Sequence, residues 1–194
     1  MLAAMNLAHA LRIQAHANGL ANHRLHTAMA ALAPEEFRAT RTSFFPSLSA
    51  TLNHILAVDE YYIGALHGER GLPDQYRRFT AAADLPELAA RQRRSDERLV
   101  ALCDRLDDAA CAAEVAMERG EGRIQRDLAA HVLAHLFMHQ THHRGQAHAM
   151  LAGTSVKPPQ LDEFLMPSEA SLRLQDMAAM GWDEAAVYGS GNRC

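Results

Sequence analysis

The segment HLFMHQTHHRGQAHAML, residues 135–151, carries five histidines and is the most informative stretch for the fold. Its apolar residues recur every three or four positions, which predicts an amphipathic α-helix over residues 125–152. On a wheel of about 100° per residue, His139 and His143 fall in the middle of the apolar face, one turn apart. The other three histidines, including the adjacent His142, lie at the edge of that face or away from it. His139 and His143 are therefore the two candidate metal ligands of this segment.

The rest of the chain also has the composition of a helical protein. Alanine and leucine are abundant, β-branched residues are scarce, and glycine and proline cluster in a few places. The predicted helices span residues 2–32, 47–67, 86–106 (capped by Asp84) and 125–152, with a hairpin within 113–127 and a short C-terminal helix over 168–180. Antiparallel neighbours suffice to cover four such apolar stripes, so we predict an all-α four-helix bundle. We assign residues 1–166 to the bundle and residues 167–194 to the C-terminal helix and a flexible tail.

Composition and charge argue against several classes of function. The net charge is −4 with acidic and basic residues intermixed, which disfavours nonspecific nucleic-acid binding. No apolar run is long enough for a transmembrane helix, and residues 1–21 lack the apolar core of a secretory signal. The three cysteines are widely spaced and odd in number, which favours a reducing compartment over a disulfide framework. These features predict a cytoplasmic protein that does not associate with membranes.

A third histidine lies on the second predicted helix, in TLNHILAVDEYYIGAL. His54 borders the apolar stripe of that helix, which in a bundle could face the fourth helix. His54, His139 and His143 would then form a three-histidine set with at least one open coordination position, a pattern typical of catalytic rather than structural metal sites. The competing interpretation is that these are core histidines bonded to backbone groups or water.

Other polar residues near this set are candidates for supporting roles. Asp59 shares the apolar face of the second helix, where it could pair with Arg144 or accept an N–H from a ligand histidine. An ordinary interhelical salt bridge is an equally good interpretation of Asp59. Tyr61, Tyr62, Gln146 and Arg144 are candidates for a pocket wall, with packing or helix pairing as the alternative for each.

The motifs around these histidines resemble those of the DinB/YfiT-like metalloenzyme family, which is distinct from the DNA polymerase that shares the DinB name. TLNHILAVDEYYIGAL is similar to the second-helix motif of that family, and HLFMHQTHHRGQAHAML to its fourth-helix motif HxxxHRGQ. GLANHRLHTAMAAL, FFPSLSATLNHIL and PPQLDEFL match further family segments, so that the resemblance spans residues 10–165. One departure is visible, because the family commonly has Trp after the second-helix Asp, where this chain has Tyr61 and Tyr62.

The resemblance implies a four-helix bundle that binds a divalent metal through three histidines, which map to His54, His139 and His143. It also implies a homodimer and a small-molecule substrate, with a low-molecular-weight thiol as a possible cosubstrate. Imidazole ligands suit Zn, Ni, Cu or Fe, among which the coordination geometry would choose, and we expect Zn or Ni. A metal held by three neutral ligands lowers the pKa of a bound water or thiol, so we predict a hydrolase or a thiol transferase. The alternative is a non-catalytic metal-binding or stress-response protein.

Overall fold

The computed structural model describes residues 6–162 and 166–188. In chain order the described elements are α1 Leu7–Met29, α2 Pro34–Arg38, α3 Leu48–Leu66, α4 Leu72–Arg77, α5 Leu85–Cys103, α6 Asp108–Cys111, β1 Glu114–Glu118, β2 Ile124–Leu128, α7 Ala129–Leu151, α8 Ala170–Met180 and α9 Glu184–Tyr188. The long helices α1 and α3 each pack against both α5 and α7, which closes a four-helix bundle. The prediction of an all-α bundle is confirmed.

The helix starts follow the capping residues in the sequence. The Asp84 carboxylate accepts the Glu87 N–H at 2.9 Å and begins α5, as predicted. The Ser47 hydroxyl accepts the Ala50 N–H at 3.0 Å and begins α3. Asn6 caps α1 in the same way, so that α1 begins later than the predicted residue 2.

The predicted start of the fourth helix at residue 125 is wrong. Residues 124–128 form β2, which pairs antiparallel with β1 from Glu114↔Leu128 to Glu118↔Ile124. The hairpin was expected from the turn residues between the strands, where Gly120, Glu121 and Gly122 all have positive φ. The strand therefore takes the residues that helical periodicity alone would give to α7.

Short elements at the margins complete the chain. The single-turn helices α4, α6 and α9 were not predicted. The predicted C-terminal helix is confirmed as α8, preceded by a 3₁₀ turn over Pro167–Glu169. Both α8 and α9 pack on α1. The predicted loose tail, residues 189–194, lies outside the described residues, and the domain division after residue 166 stays a prediction.

The bundle interior has two apolar clusters. The lower cluster includes Leu11, Ile63, Leu99 and Leu133. The upper cluster includes Leu25, Leu56, Leu88 and Leu151. Because α1 and α7 run from the lower to the upper cluster and α3 and α5 run the opposite way, α1 is parallel to α7 and α3 is parallel to α5. The expectation of antiparallel neighbours holds only for the α1–α5 and α3–α7 pairs, since the long connection through α4 returns the chain across the bundle.

Between the two clusters, buried polar side chains from all four long helices meet at one level, which we call the polar layer. Its members are Asn18, Asn22, Asp59, Gln92, Asp96, Gln140 and Arg144. Cys103 and Cys111 are free thiols buried in the lower cluster. Within residues 6–162 and 166–188, no helix combines the length and the apolar character needed to cross a membrane.

Candidate metal centre

Three histidines from α3 and α7 meet beside the polar layer. One ring nitrogen from each of His54, His139 and His143 lies within 4.8 Å of the other two. The Nε2 atoms of His54 and His139 are 3.0 Å apart. The structure therefore brings together the three residues that the sequence singled out, although 85 positions separate His54 from His139.

The triad sits at the margin of the α7 interior face, whereas the sequence wheel placed His139 and His143 in its middle. The interior face includes Leu133, Phe137 and Leu151, which the wheel left outside the stripe, because α7 packs on α1 as well as on α3. On the same wheel, the centre of the residues that are buried in the structure lies roughly 50° from the centre of the predicted apolar stripe, toward α1. His143 is consequently buried and His139 half-buried, so that the triad reaches the protein surface.

Gln146 contacts His143 and fixes the orientation of its ring. The Nδ1 atom of His143 lies 2.8 Å from Oε1 of Gln146. Because an amide oxygen only accepts, this nitrogen carries the proton and Nε2 keeps its lone pair free for a metal. The Nε2 of Gln146 in turn donates to His142 at 3.2 Å. His142 itself is exposed and lies outside the triad, as the wheel predicted.

An aromatic residue that sequence reasoning missed covers part of the triad. The ring of Phe45 stacks on that of His54, with centroids 4.2 Å apart, and its centroid is 5.4 Å from that of His143. The neighbouring Phe44 is 80% exposed and packs edge-on against Phe45. The signal for Phe45 in the sequence is the aromatic pair just before the Ser47 cap, at the start of the segment FFPSLSATLNHIL.

The electrostatic environment favours neutral imidazoles. Burial, followed by the neighbouring His143, lowers the pKa of His54. The same two causes and the other nearby histidines lower the pKa of His139 to about 4. Both rings are therefore unprotonated at neutral pH, which is the form that binds a metal. The Nδ1 of His139 is buried and has no hydrogen-bond partner among the described residues.

Asp59 and Arg144 do not form the direct contacts that were predicted. Asp59 is fully buried, but its Oδ2 accepts from Gln92 at 2.8 Å. Arg144 donates instead to Asn18 and Asn22 of α1, at 2.6 and 3.0 Å. Among the described residues, Asp59 forms neither a salt bridge with Arg144 nor a hydrogen bond with a triad histidine, because side chains of α5 and α1 are interposed.

Asp96 is the charged residue of the polar layer that the sequence did not indicate. Its carboxylate accepts from Asn22 at 3.0 and 3.1 Å and from Gln92 at 3.1 Å. Burial and the charge of Asp59 raise the pKa of Asp96 to about 8. Burial raises the pKa of Asp59 to about 7, against the opposing effect of amide contacts and Arg144. Two acids thus share one buried arginine, and at neutral pH one of them holds a proton.

The sequence comparison agrees with the geometry of the triad. The sequence model of the DinB family matches residues 12–177, which is most of the chain. The chain belongs to the DinB family. No curated protein matches it. Family membership together with the three-histidine cluster fits a metal-binding site.

Tyr61 and Tyr62 line a cavity of this DinB protein, one to two turns beyond the triad along α3. They form its wall together with Tyr76 and Arg119, and its volume is about 320 Å³. Arg144 lines a different cavity, of about 210 Å³, beside Asn18. The candidates for a pocket wall therefore separate, because the two tyrosines line a cavity between α3, α4 and the hairpin, whereas Arg144 lines one between α1 and α7.

Proposed function

We propose that this protein is a divalent-metal-dependent enzyme acting on a small molecule, with His54, His139 and His143 as the metal ligands. The observation that carries the proposal is the 3.0 Å separation of two Nε2 atoms within a three-histidine cluster. Zinc–nitrogen bonds of about 2.0–2.1 Å place two adjacent ligand nitrogens about 2.9–3.4 Å apart. The nitrogens of His54 and His139 therefore have the spacing of two ligands of one such ion, and the nitrogen of His143 lies within 4.8 Å of both. Zn or Ni is the proposed metal.

A divalent ion held by three neutral imidazoles would lower the pKa of a water or thiol at an open position, which supplies a nucleophile for hydrolysis or thiol transfer. The protein contributes the orientation of the ligands. Gln146 holds the tautomer of His143 from the side away from the cluster. Phe45 keeps water from one face of His54 and His143.

The second candidate is a non-catalytic metal-binding or stress-response protein, and the position of Phe45 favours it. This ring covers two of the three proposed ligands and restricts the approach of a substrate from that side. In addition, the Asp59 carboxylate, which could have supported a ligand histidine, accepts from Gln92 and not from the triad.

Metal analysis tests the metal site that both candidates require. Untagged protein incubated with Zn²⁺ or Ni²⁺ and then desalted should retain one ion per chain. Replacing His143 with Ala should weaken binding by more than about 100-fold, because it removes a ligand, whose loss costs more than that of an outer partner. His142→Ala is the matched control and should bind normally. Stoichiometric, tight binding by the His143→Ala variant would show that the ligands are wrong.

Turnover then separates the enzyme from the non-catalytic protein. Zinc-loaded protein is screened against ester, amide and phosphoester hydrolysis and against conjugation of low-molecular-weight thiols. Activity that is present in the native protein and absent in His143→Ala supports the enzyme. Activity that survives the loss of all three histidines contradicts the proposed mechanism.

The proposal extends to a homodimer in the cytoplasm. The dimer is proposed because homodimers are frequent in the family that the chain resembles. The cytoplasm is proposed from the charge and the cysteine pattern of the chain. Light scattering after gel filtration should give twice the chain mass, and a monomer at micromolar concentration would contradict the dimer. Cell fractionation tests the compartment in the same preparation.

A further inference from the structure

Arg119 holds a half-buried guanidinium group against two tyrosines where the hairpin meets α3. Its Nε donates to Gln125 at 2.9 Å. Its two terminal nitrogens lie 3.4 Å from the hydroxyl oxygen of Tyr61 and 3.3 Å from that of Tyr62. The guanidinium carbon is 5.4 Å from the centroid of each tyrosine ring. The hairpin and α3 thus hold this cation in a defined position.

The charge of Arg119 is not neutralised by the protein. Among residues 6–162 and 166–188, no carboxylate lies within 4.0 Å of its guanidinium nitrogens. The nearest acidic neighbour along the chain, Glu118, is turned toward the N–H of Gly71, at 2.8 Å, and toward Arg70, at 3.7 Å. A partly buried cation whose hydrogen bonds go only to neutral groups retains its attraction for an anion.

The cavity beside Arg119 suits a small planar anion. Its volume is about 320 Å³, at the lower end of the usual range for small-molecule sites. Tyr61, Tyr62 and Tyr76 give it aromatic surface. Arg77 and Glu118 also line it, but Arg77 pairs with Asp74 and Glu118 is engaged by Gly71 and Arg70. Arg119 is therefore the lining residue whose charge has no described counter-charge in contact with it. The Tyr62 hydroxyl accepts from Arg119 and donates to no described residue, so its hydrogen is available to a ligand. One of the five N–H groups of Arg119 has no acceptor among the described residues.

The cavity lies along α3 from the histidine triad. Val58, which lines the cavity, is one helical turn beyond His54. Tyr61 follows His54 by seven residues, which corresponds to about 10 Å along the helix axis. Tyr62 also contacts His135, with ring centroids 5.1 Å apart, and His135 is the next ring along from His139. One small organic molecule could therefore extend from Arg119 to the triad.

We infer that this cavity is an anion-binding subsite, in which Arg119 and Tyr62 bind the carboxylate of a small planar organic acid. The inference that a carboxylate binds here depends only on the residues of the cavity and not on the metal site. That the bound acid is part of the substrate rests on the proposed function, because it requires the triad to hold the reacting metal. On this basis the substrate carries a carboxylate at the end that lies farther from the triad along α3.

A purely structural role for Arg119 is the competing interpretation. In that case the arginine only pins the hairpin to α3 through Tyr61, Tyr62 and Gln125. The two interpretations differ in whether a free carboxylate binds, so direct binding measurements decide between them.

Benzoate is the probe, because it combines a carboxylate with one aromatic ring, and benzamide is its neutral counterpart. Titrations followed by calorimetry or ligand-observed NMR use the full chain, both metal-free and zinc-loaded. Benzoate should bind with a dissociation constant in the millimolar range, as expected for so small a ligand, and benzamide at least about 10-fold more weakly. Equal affinities for the two probes, or no binding of benzoate, would overturn the inference.

Three variants locate the binding. Arg119→Gln should weaken benzoate binding by about 10-fold or more, and Tyr62→Phe by several-fold. Arg123→Gln is the matched control, because it removes the same charge from an exposed position of the same hairpin. Circular dichroism checks that each variant is folded. If Arg119→Gln does not fold, the benzoate affinity of Tyr62→Phe decides the outcome. Undiminished binding in a folded Arg119→Gln variant, or equal losses in Arg123→Gln, would refute the assignment.

The experiments distinguish failure of the anion subsite from failure of the proposed metal site. Benzoate binding that depends on Arg119 in a protein that takes up no metal would support the subsite and contradict the proposed enzyme. Metal uptake that depends on His143, together with benzoate binding that is indifferent to Arg119, would leave the metal site intact and contradict the subsite. When both hold, benzoate should also inhibit any turnover found, and Arg119→Gln should relieve that inhibition.

Discussion

Replacing Asp96 with Asn should remove a pH dependence of stability that the polar layer imposes on this protein. Asp96 is buried, and its pKa is raised from 3.8 to about 8, first by burial and then by the charge of Asp59. The folded protein therefore keeps a proton at neutral pH that the unfolded chain releases. Since the folded state binds more protons, the free energy of unfolding falls as the pH rises, until the pH passes about 8.

The size of the effect follows from the pKa of about 8. A proton held only by the folded state changes the free energy of unfolding by about 1.4 kcal/mol per pH unit. Between pH 7 and pH 8 the Asp96 carboxyl is on average about three-quarters protonated, so it should lower the stability by about 1 kcal/mol over that unit. In Asp96→Asn this contribution should disappear, because an amide does not titrate. Only the smaller loss from Asp59, whose pKa burial raises to about 7, should remain.

Urea denaturation followed by circular dichroism at pH 7.0, 7.5 and 8.0 measures the difference. This range avoids the histidines with lowered pKa, namely His16, His26, His54 and His139. Those groups act in the opposite sense, because the unfolded chain takes up protons below about pH 6.5 while the folded protein does not. Comparing the variant with the native protein at each pH cancels any contribution that remains.

Asp108→Asn is the matched control, since it removes the same charge from an exposed position and should keep the pH dependence of the native protein. The reasoning is refuted if Asp96→Asn loses stability between pH 7 and pH 8 as steeply as the native protein does. A native protein that gains stability over this range would refute it as well, since Asp96 would then be ionised in the folded state.

Three further substitutions test the ligand orientation, the core and a helix cap. Gln146→Ala should weaken zinc binding by about 10- to 100-fold while the exposed control Gln75→Ala has no effect, and equal affinities in competition with a chelator would show that the contact with His143 orients nothing. Leu88→Ala should lower the free energy of unfolding by about 2–5 kcal/mol, because it opens a void in the upper cluster, and a loss under 1 kcal/mol in urea denaturation would contradict that packing. Asp84→Ala should cost about 1 kcal/mol by removing the α5 cap, and an unchanged urea midpoint would show that the cap is dispensable.

Helices and the triad were accessible from the sequence because their signals are local. The Asp84 cap and the alternation of apolar residues depend on neighbours within a few positions. His139 and His143 share a face simply because they are four residues apart. Assigning His54 to the same site needed a correct guess of which helices pack together, and the family resemblance supplied it.

The features that the sequence did not reveal depend on contacts between distant segments. Asp96 reads as a solvated residue of a charged helix until the direction of α5 in the bundle is known. Residues 124–128 fit either a helix or a strand, and pairing with β1 decides the outcome. The contact of Arg119 with Tyr61 joins positions 58 residues apart and forms only after the hairpin has folded onto α3. In each case local periodicity permits two answers and tertiary packing selects one.

Because His54 and His139 are 85 positions apart, a metal bound at the triad would affect the stability of the fold as well as its chemistry. An ion bound there would act as a reversible cross-link between α3 and α7, closing a loop that spans nearly half of the chain. The unfolded chain cannot assemble the same three ligands, so the ion binds the folded state alone. At a free concentration 100 times the dissociation constant it would add about 2.7 kcal/mol to the free energy of unfolding. Metal supply would then set how long the folded protein persists, as well as whether it is active.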